Sequence, residues 1–220
     1  EGLYLEDKKG DTLIYSKSLE ADIPLLPIIR GSGIGIEQID WEGVRANIIR
    51  KDTIAGFNFS FIAEALSSQN ADTSVQDTLT TQPREIIIGD VNLKDFDVVY
   101  NDAVTGIDSR YIVDVLEVEM DEVAIDQMKF TAVDGYIKGA QISIDQYEVP
   151  SDPNGEDVPM PFLAFENLLL EDVSGYYANP DIGIQLDFDI ENLASIIPTA
   201  NFESFEIVID KFELVNSAIG

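Results

Sequence analysis

The chain contains no cysteine and no histidine in 220 residues. With them go thiol nucleophiles, disulfides, Cys/His zinc clusters and every histidine-dependent triad, which excludes most hydrolytic and redox chemistry. The redox compartment stays open, because cysteine avoidance suits a cytosolic and a periplasmic protein alike. Basic residues are also scarce, with 13 Lys and Arg against 42 Asp and Glu, for a formal charge of −29. That field repels nucleic-acid phosphates and anionic lipid headgroups, so nucleic acid is not an expected partner and headgroup-driven membrane binding is disfavoured. No run approaches the roughly 18 apolar residues that a membrane-spanning helix needs. The first residue is Glu1 rather than Met, the expectation for a chain excised from something longer or processed.

What is present is enough apolar character, 45% of residues, for a folded chain with a substantial core. The acidic residues are spread along the sequence, as solvated strand faces and loops require, and are not gathered into a tail. Two stretches rich in Ser, Asn, Asp and Pro interrupt the apolar pattern, at 67–84 and 149–160, and read as loops. They divide the chain into blocks at 1–66, 85–148 and 161–220. The third block holds the clearest strand: Ile184, Leu186, Phe188 and Ile190 alternate with Gln185, Asp187, Asp189 and Glu191, one face apolar and the other acidic. Phe205, Ile207 and Ile209 repeat the alternation, and the change of phase to Phe212 and Leu214 predicts a bulge. In the second block, short strands are predicted around Phe96–Tyr100, Tyr111–Val115 and Met128–Ala132. The first adds Leu13–Tyr15, Leu19–Ile23 and Ile34–Trp41. Helix signals are few: Ser60–Leu66 is the best, and Leu25–Ile29 is broken by Pro27. The expected class is all-β with minor helix.

A strand-like phrase recurs. Val91 to Tyr100 is matched by Leu168 to Tyr177, and Leu93/Leu170, Asp95/Asp172, Tyr100/Tyr177, Gly106/Gly183, Ile107/Ile184, Leu116/Leu193 and Ile142/Ile219 share one offset (170 − 93 = 77). A gapless offset of that length predicts a β-repeat.

The opening Glu1-Gly2-Leu3-Tyr4-Leu5-Glu6-Asp7-Lys8-Lys9-Gly10-Asp11-Thr12-Leu13-Ile14-Tyr15, the strand Ile39-Asp40-Trp41-Glu42-Gly43-Val44-Arg45-Ala46-Asn47-Ile48, the phrase Phe57-Asn58-Phe59-Ser60-Phe61-Ile62, and Val91 to Tyr100 followed by Asp102, Thr105 and Gly106 together resemble TamB-like proteins of the Bacteroidetes type, within the AsmA-like group. The resemblance covers roughly 1–66 and 85–147, and the third block joins it through the repeat. It implies an elongated, mainly antiparallel sheet curled into an open, taco-like trough with an apolar interior. In the full-length protein it implies a periplasmic location, an inner-membrane anchor that is absent from this chain, an outer-membrane barrel partner of the Omp85 type, and a role in phospholipid movement between membranes or in outer-membrane protein assembly.

A magnitude bears on the trough. Leaving Ile184, Leu186, Phe188 and Ile190 in water forfeits about 6–12 kcal/mol, comparable with the roughly 5–15 kcal/mol stability of a whole domain. The face therefore has to be covered, by an opposing sheet or by something apolar such as acyl chains, and the residues alone do not choose between them. With the resemblance, Ile184, Leu186, Phe188, Ile190, Phe205, Ile207 and Ile209 are expected to line a groove for phospholipid acyl chains, with no catalytic residue and no cofactor required. A second expectation is a scaffold whose open sheet edges pair with strands of a client outer-membrane protein. A third is a calcium-stiffened module using Asp152, Asn154 and Asp157 or Asp121, Glu122 and Asp126, although the spacing lacks a twelve-residue calcium loop. Asp187, Asp189 and Glu191 are carboxylates on one strand face and read as solvation more than as a glycosidase pair. Gly31-Ser32-Gly33-Ile34-Gly35 has no following Lys or long helix and reads as a turn. Trp41 reads as a core or groove-rim residue.

Overall fold

The computed structural model describes residues 1–22, 34–62, 86–124, 129–149, 162–201, 204 and 206–220. Twelve strands make one sheet: β1 Leu3–Glu6, β2 Thr12–Ser16, β3 Ser18–Asp22, β4 Ile34–Arg50, β5 Ile86–Asp102, β6 Ile107–Ala124, β7 Lys129–Gln146, β8 Phe162–Asn179, β9 Ile184–Asn201, β10 Glu206–Val208, β11 Lys211–Val215 and β12 Ala218–Ile219. The order across the sheet is β1-β2-β4-β5-β6-β7-β8-β9-β10, with β3 also on β4, and β11 and β12 also on β9. Ser60 to Ile62 form a single helical turn. The remainder of the 60–66 helix, the Leu25–Ile29 segment, the Gly31–Gly33 turn, the 67–84 loop and nearly all of the 149–160 loop lie outside the described residues.

The expected mainly antiparallel pairing is found in nine of the eleven pairings between described strands, whereas the expected curl needs correction. The sheet is mixed, because β4 pairs with β5 and β7 with β8 in parallel. It is open, as expected, but it is not strongly curled. Closure requires the two outer strands to pair, and among the described residues β1 and β10 do not meet.

The offset of 77 recurs at the level of pairing. Strand β6 plus 77 is β9, residue for residue at both ends. Leu116 pairs with Ile137 on β7, and Leu193 with Leu214 on β11; Tyr111 pairs with Ile142, and Phe188 with Ile219 on β12. Strands β10, β11 and β12 are thus the broken counterpart of β7, and the bulge expected between Ile209 and Phe212 is a break between β10 and β11. Strands β5-β6-β7 form one unit and β8-β9-(β10 to β12) the next, joined in parallel.

One register row interrupts the alternation of every long strand. Gly43, Asp95, Asp114, Gly139, Asp172, Glu191 and Asn216 fall at the same level, and φ is positive at Gly43 (68°), Asp95 (52°), Gly139 (61°), Asp172 (52°) and Asn216 (49°). Left-handed backbone crowds Cβ, so it falls to Gly or to Asp and Asn, whose short polar side chains tolerate it. At this crease the two-residue alternation slips by one. Ile137 and Ala140, Leu170 and Val173, and Ile190 and Leu193, each three apart, therefore share one packed cluster. Because neighbouring strands slip together, their pairing across the crease stays in register.

Candidate functional site

Pairing partners in a sheet point to the same side, so the registers define rows on one apolar face. On one side of the crease run Trp41, Leu93, Leu116, Ile137, Leu170, Leu193 and Leu214. On the other run Val44, Phe96, Val113, Ala140, Val173 and Ile190. The next row holds Ala46, Val98, Tyr111, Ile142, Gly175, Phe188 and Ile219. Near the crease the face buries itself through lateral packing: Val44, Leu93, Val173, Ile190 and Leu193 are buried. Among the described residues no other strand lies over it, since every substantial contact between described strands is between pairing partners.

The expected groove residues fall on a gradient along this face. Ile190 is buried at 7% and Phe188 is half-buried, while Leu186 and Ile184 stay 39% and 47% exposed. Ile207 is exposed and pairs with buried Ala200 on the same face; Ile209, also exposed, sits in the break after β10 and belongs to no strand. Phe205 lies outside the described residues. Residues that the sequence reading did not assign to the groove, Leu93, Leu116, Ile137, Leu170 and Leu214, make up most of the first row. The signal that could have found them is the spacing of three across the crease.

The opposite face carries cross-strand polar pairs. The Arg110 guanidinium donates to both carboxylate oxygens of Asp97 at 2.9 and 2.8 Å; this ion pair holds the Asp97 carboxyl below, and the Arg110 guanidinium above, their ordinary ranges. Tyr136 Oη and Lys138 Nζ both donate to Glu171, at 2.6 and 2.9 Å, and lower its pKa. Asp187, Asp189 and Glu191 are exposed side by side on this face.

The far end of the apolar face is closed by a polar cap. Asp102 is fully buried and accepts from Arg50 Nε at 2.7 Å, from Arg50 Nη2, from Tyr100 Oη at 3.0 Å, from Thr105 Oγ1 at 2.7 Å and from Val104 N–H at 3.0 Å. Burial opposes its ionisation, but these donors outweigh it and hold the carboxyl down at about 2. Burial, with the Asp102 charge and hydrogen bond, pushes the Tyr100 phenol up to about 12. The Phe57-Asn58-Phe59 phrase seals this end. Asn58 Oδ1 accepts from Ile49 N–H at 3.0 Å, its Nδ2 donates to the Asn47 carbonyl at 2.8 Å, and the Arg50 guanidinium stacks on Phe57 at 4.5 Å. In the next unit the same place is neutral: Tyr177 Oη donates to Gln146 Oε1 at 2.6 Å, and Asn179 Oδ1 accepts from Ile182 N–H at 3.4 Å, as Asp102 Oδ1 does from Thr105 N–H.

The indole N–H of Trp41, in the first row, is shielded from solvent and meets no acceptor among the described residues. Two of the hollows on the described surface are lined in part by charged side chains. One of about 310 Å³ beside the cap is lined by Lys8, Lys9, Lys51, Asp7, Asp11, Asp52 and Phe57; another of about 690 Å³ lies between Phe162, Phe165 and Ile196 and the polar Asp121, Glu122 and Lys129. Asp121 and Glu122 are engaged by Thr131 and Lys129, and no group of three metal-ligating side chains occurs among the described residues. Asp126, Asp152, Asn154 and Asp157 lie outside them. No helix among the described residues is long and apolar enough to cross a membrane. Comparison with protein-family models, curated proteins and solved structures found no match.

Proposed function

We propose that this chain is a non-enzymatic section of a periplasmic lipid conduit, its sheet one wall of an open trough whose apolar face carries phospholipid acyl chains between membranes. The observation that supports this most is a face of leucine, isoleucine, valine and aromatic rows running across seven strands with no opposing layer among the described residues. An ordinary sandwich covers such a face with a second sheet. The resemblance to TamB-like proteins points the same way and adds an inner-membrane anchor and an outer-membrane barrel partner in the full-length protein. Acyl chains need no charged partner, so the net charge of −29 is compatible with holding tails while the acidic opposite face stays in water.

The test is native mass spectrometry with phospholipid extraction on the chain purified from a Gram-negative host, alongside Phe188→Arg. Phe188 is half-buried near the exposed end of the face, so the long Arg side chain can reach water and the sheet can fold. Phospholipid bound to the wild-type chain and lost from a folded Phe188→Arg chain is the expected result. A lipid-free wild-type chain, or equal lipid on the variant, overturns the proposal.

A further inference from the structure

The sheet makes the same parallel junction twice, β4 on β5 and β7 on β8. At each, a Gly at the crease of the first strand, Gly43 or Gly139, lies level with an Asp of the second, Asp95 or Asp172, both with positive φ. The incoming strand carries the same phrase, Leu93-Lys94-Asp95-Phe96 or Leu170-Glu171-Asp172-Val173. Strands β10 to β12 stand where β7 stands in the preceding unit. They hold the register of β7 on its partner strand, and Asn216, with φ of 49°, takes the place of Gly139. Their outer edge is thus the third copy of an edge that twice receives a strand, and no described strand pairs with it.

The exposed apolar residues have the distribution that an uncovered junction leaves. Ile142 on β7 is half-buried beside Gly175 of β8, while its counterpart Ile219 is 54% exposed. Ile207 and Val215 on the same ribbon are as open. We infer that the β10–β12 edge is a docking site for one further extended segment of the β5/β8 type. That segment runs parallel to the ribbon, with a Leu-x-Asp-apolar phrase that sets its Asp level with Asn216 and its Leu level with Leu214. Backbone hydrogen bonds along the edge supply attachment, and the crease supplies register, since a strand lacking Asp, Asn or Gly at that level would force a hindered residue into left-handed backbone. The inference does not depend on lipid being carried.

The experiment uses the full chain and a fluorescent synthetic peptide with the sequence of residues 162–179. Anisotropy titration is expected to give saturable binding at least about tenfold tighter than for a scrambled peptide, a difference of about 1.4 kcal/mol. Because the chain has no cysteine, register is read by disulfide trapping between Val215→Cys, an exposed position, and the peptide carrying Glu171→Cys, its expected neighbour. Trapping is expected to be fastest there, and at least tenfold slower when the peptide cysteine is placed instead at Ala164 or Ala178. Equal binding of the scrambled peptide, equal trapping at 164 or 178, or a disulfide-linked dimer of the Val215→Cys chain that excludes the peptide would each overturn the inference.

Discussion

Asp102→Asn removes one charge from a pair that has almost no access to water. The Arg50 side chain is 10% exposed and the Asp102 side chain 0%. The amide of the variant can still accept from Val104 and Thr105, but its NH2 then faces the guanidinium donor to donor, and the Arg50 charge is left buried without compensation. Breaking one side of such a pair costs about 3–5 kcal/mol, against a total stability of roughly 5–15. The second unit shows how the same place is built without charge, with Gln146 and Asn179 at the positions of Arg50 and Asp102 (146 − 50 = 96, as 139 − 43 = 96 on the same strands; 179 − 102 = 77). The double variant Arg50→Gln/Asp102→Asn therefore copies a solution that the chain already uses, and most of the single-variant loss is expected to return, with a coupling of about 2 kcal/mol or more. Acid reports the same group. The carboxyl is held down at about 2 when folded and lies near 3.9 when unfolded, so its contribution is complete above about pH 4 and is lost as the pH falls toward 2, about 2–3 kcal/mol in all. Urea unfolding followed by circular dichroism, at pH 7 and stepwise down to pH 2, measures both effects. A single variant within about 0.5 kcal/mol of wild type, or a double variant no better than the single, would refute the reasoning.

Other expectations follow from the crease and the parallel junctions. Asp172→Gly keeps left-handed backbone accessible and should change stability by less than about 1 kcal/mol, while Asp172→Val places a β-branched residue at φ of 52° and should cost about 1–3 kcal/mol; equal urea midpoints for the two would count against a conformational role. At Gly175 an added Cβ would sit 2.0 Å from the Ile142 carbonyl oxygen, a backbone clash that no side chain can relieve. Gly175→Val should therefore shift the midpoint further than Gly183→Ala, where a Cβ meets nothing within 4 Å although φ is 70°. The reverse order would show that close approach of β7 and β8 is not what fixes Gly175.

What the sequence made legible was local. Ile184 to Ile190 alternate at period two on a straight stretch of β9, and the face could be read from them directly. The same rule misled where Leu93 hands over to Phe96, or Leu170 to Val173: the left-handed residue between them shifts the phase, so a long strand such as β5 looked like a short one. An Asp with positive φ has no signature of its own, and only the recurrence of Asp95 at Asp172 hinted at it. Strand direction was not legible, because β4 and β5 carry the same alternation whether they pair parallel or antiparallel. The third strand of the repeat was nearly invisible, because only Ile142/Ile219 linked β7 to a ribbon that breaks twice. The cap escaped notice because Arg50 and Asp102 are 52 residues apart and ordinary in type.

Trp41 is the only tryptophan and stands in an apolar row beside the crease, level with Leu93, so it reports on the central claim directly. Its fluorescence should be measured in the purified chain loaded with phospholipid whose acyl chains are brominated, against the same lipid unbrominated. Acyl chains lying along the face should quench Trp41 strongly, in a way that free bromide does not reproduce. Stoichiometric lipid binding without quenching would place the lipid elsewhere and contradict the account.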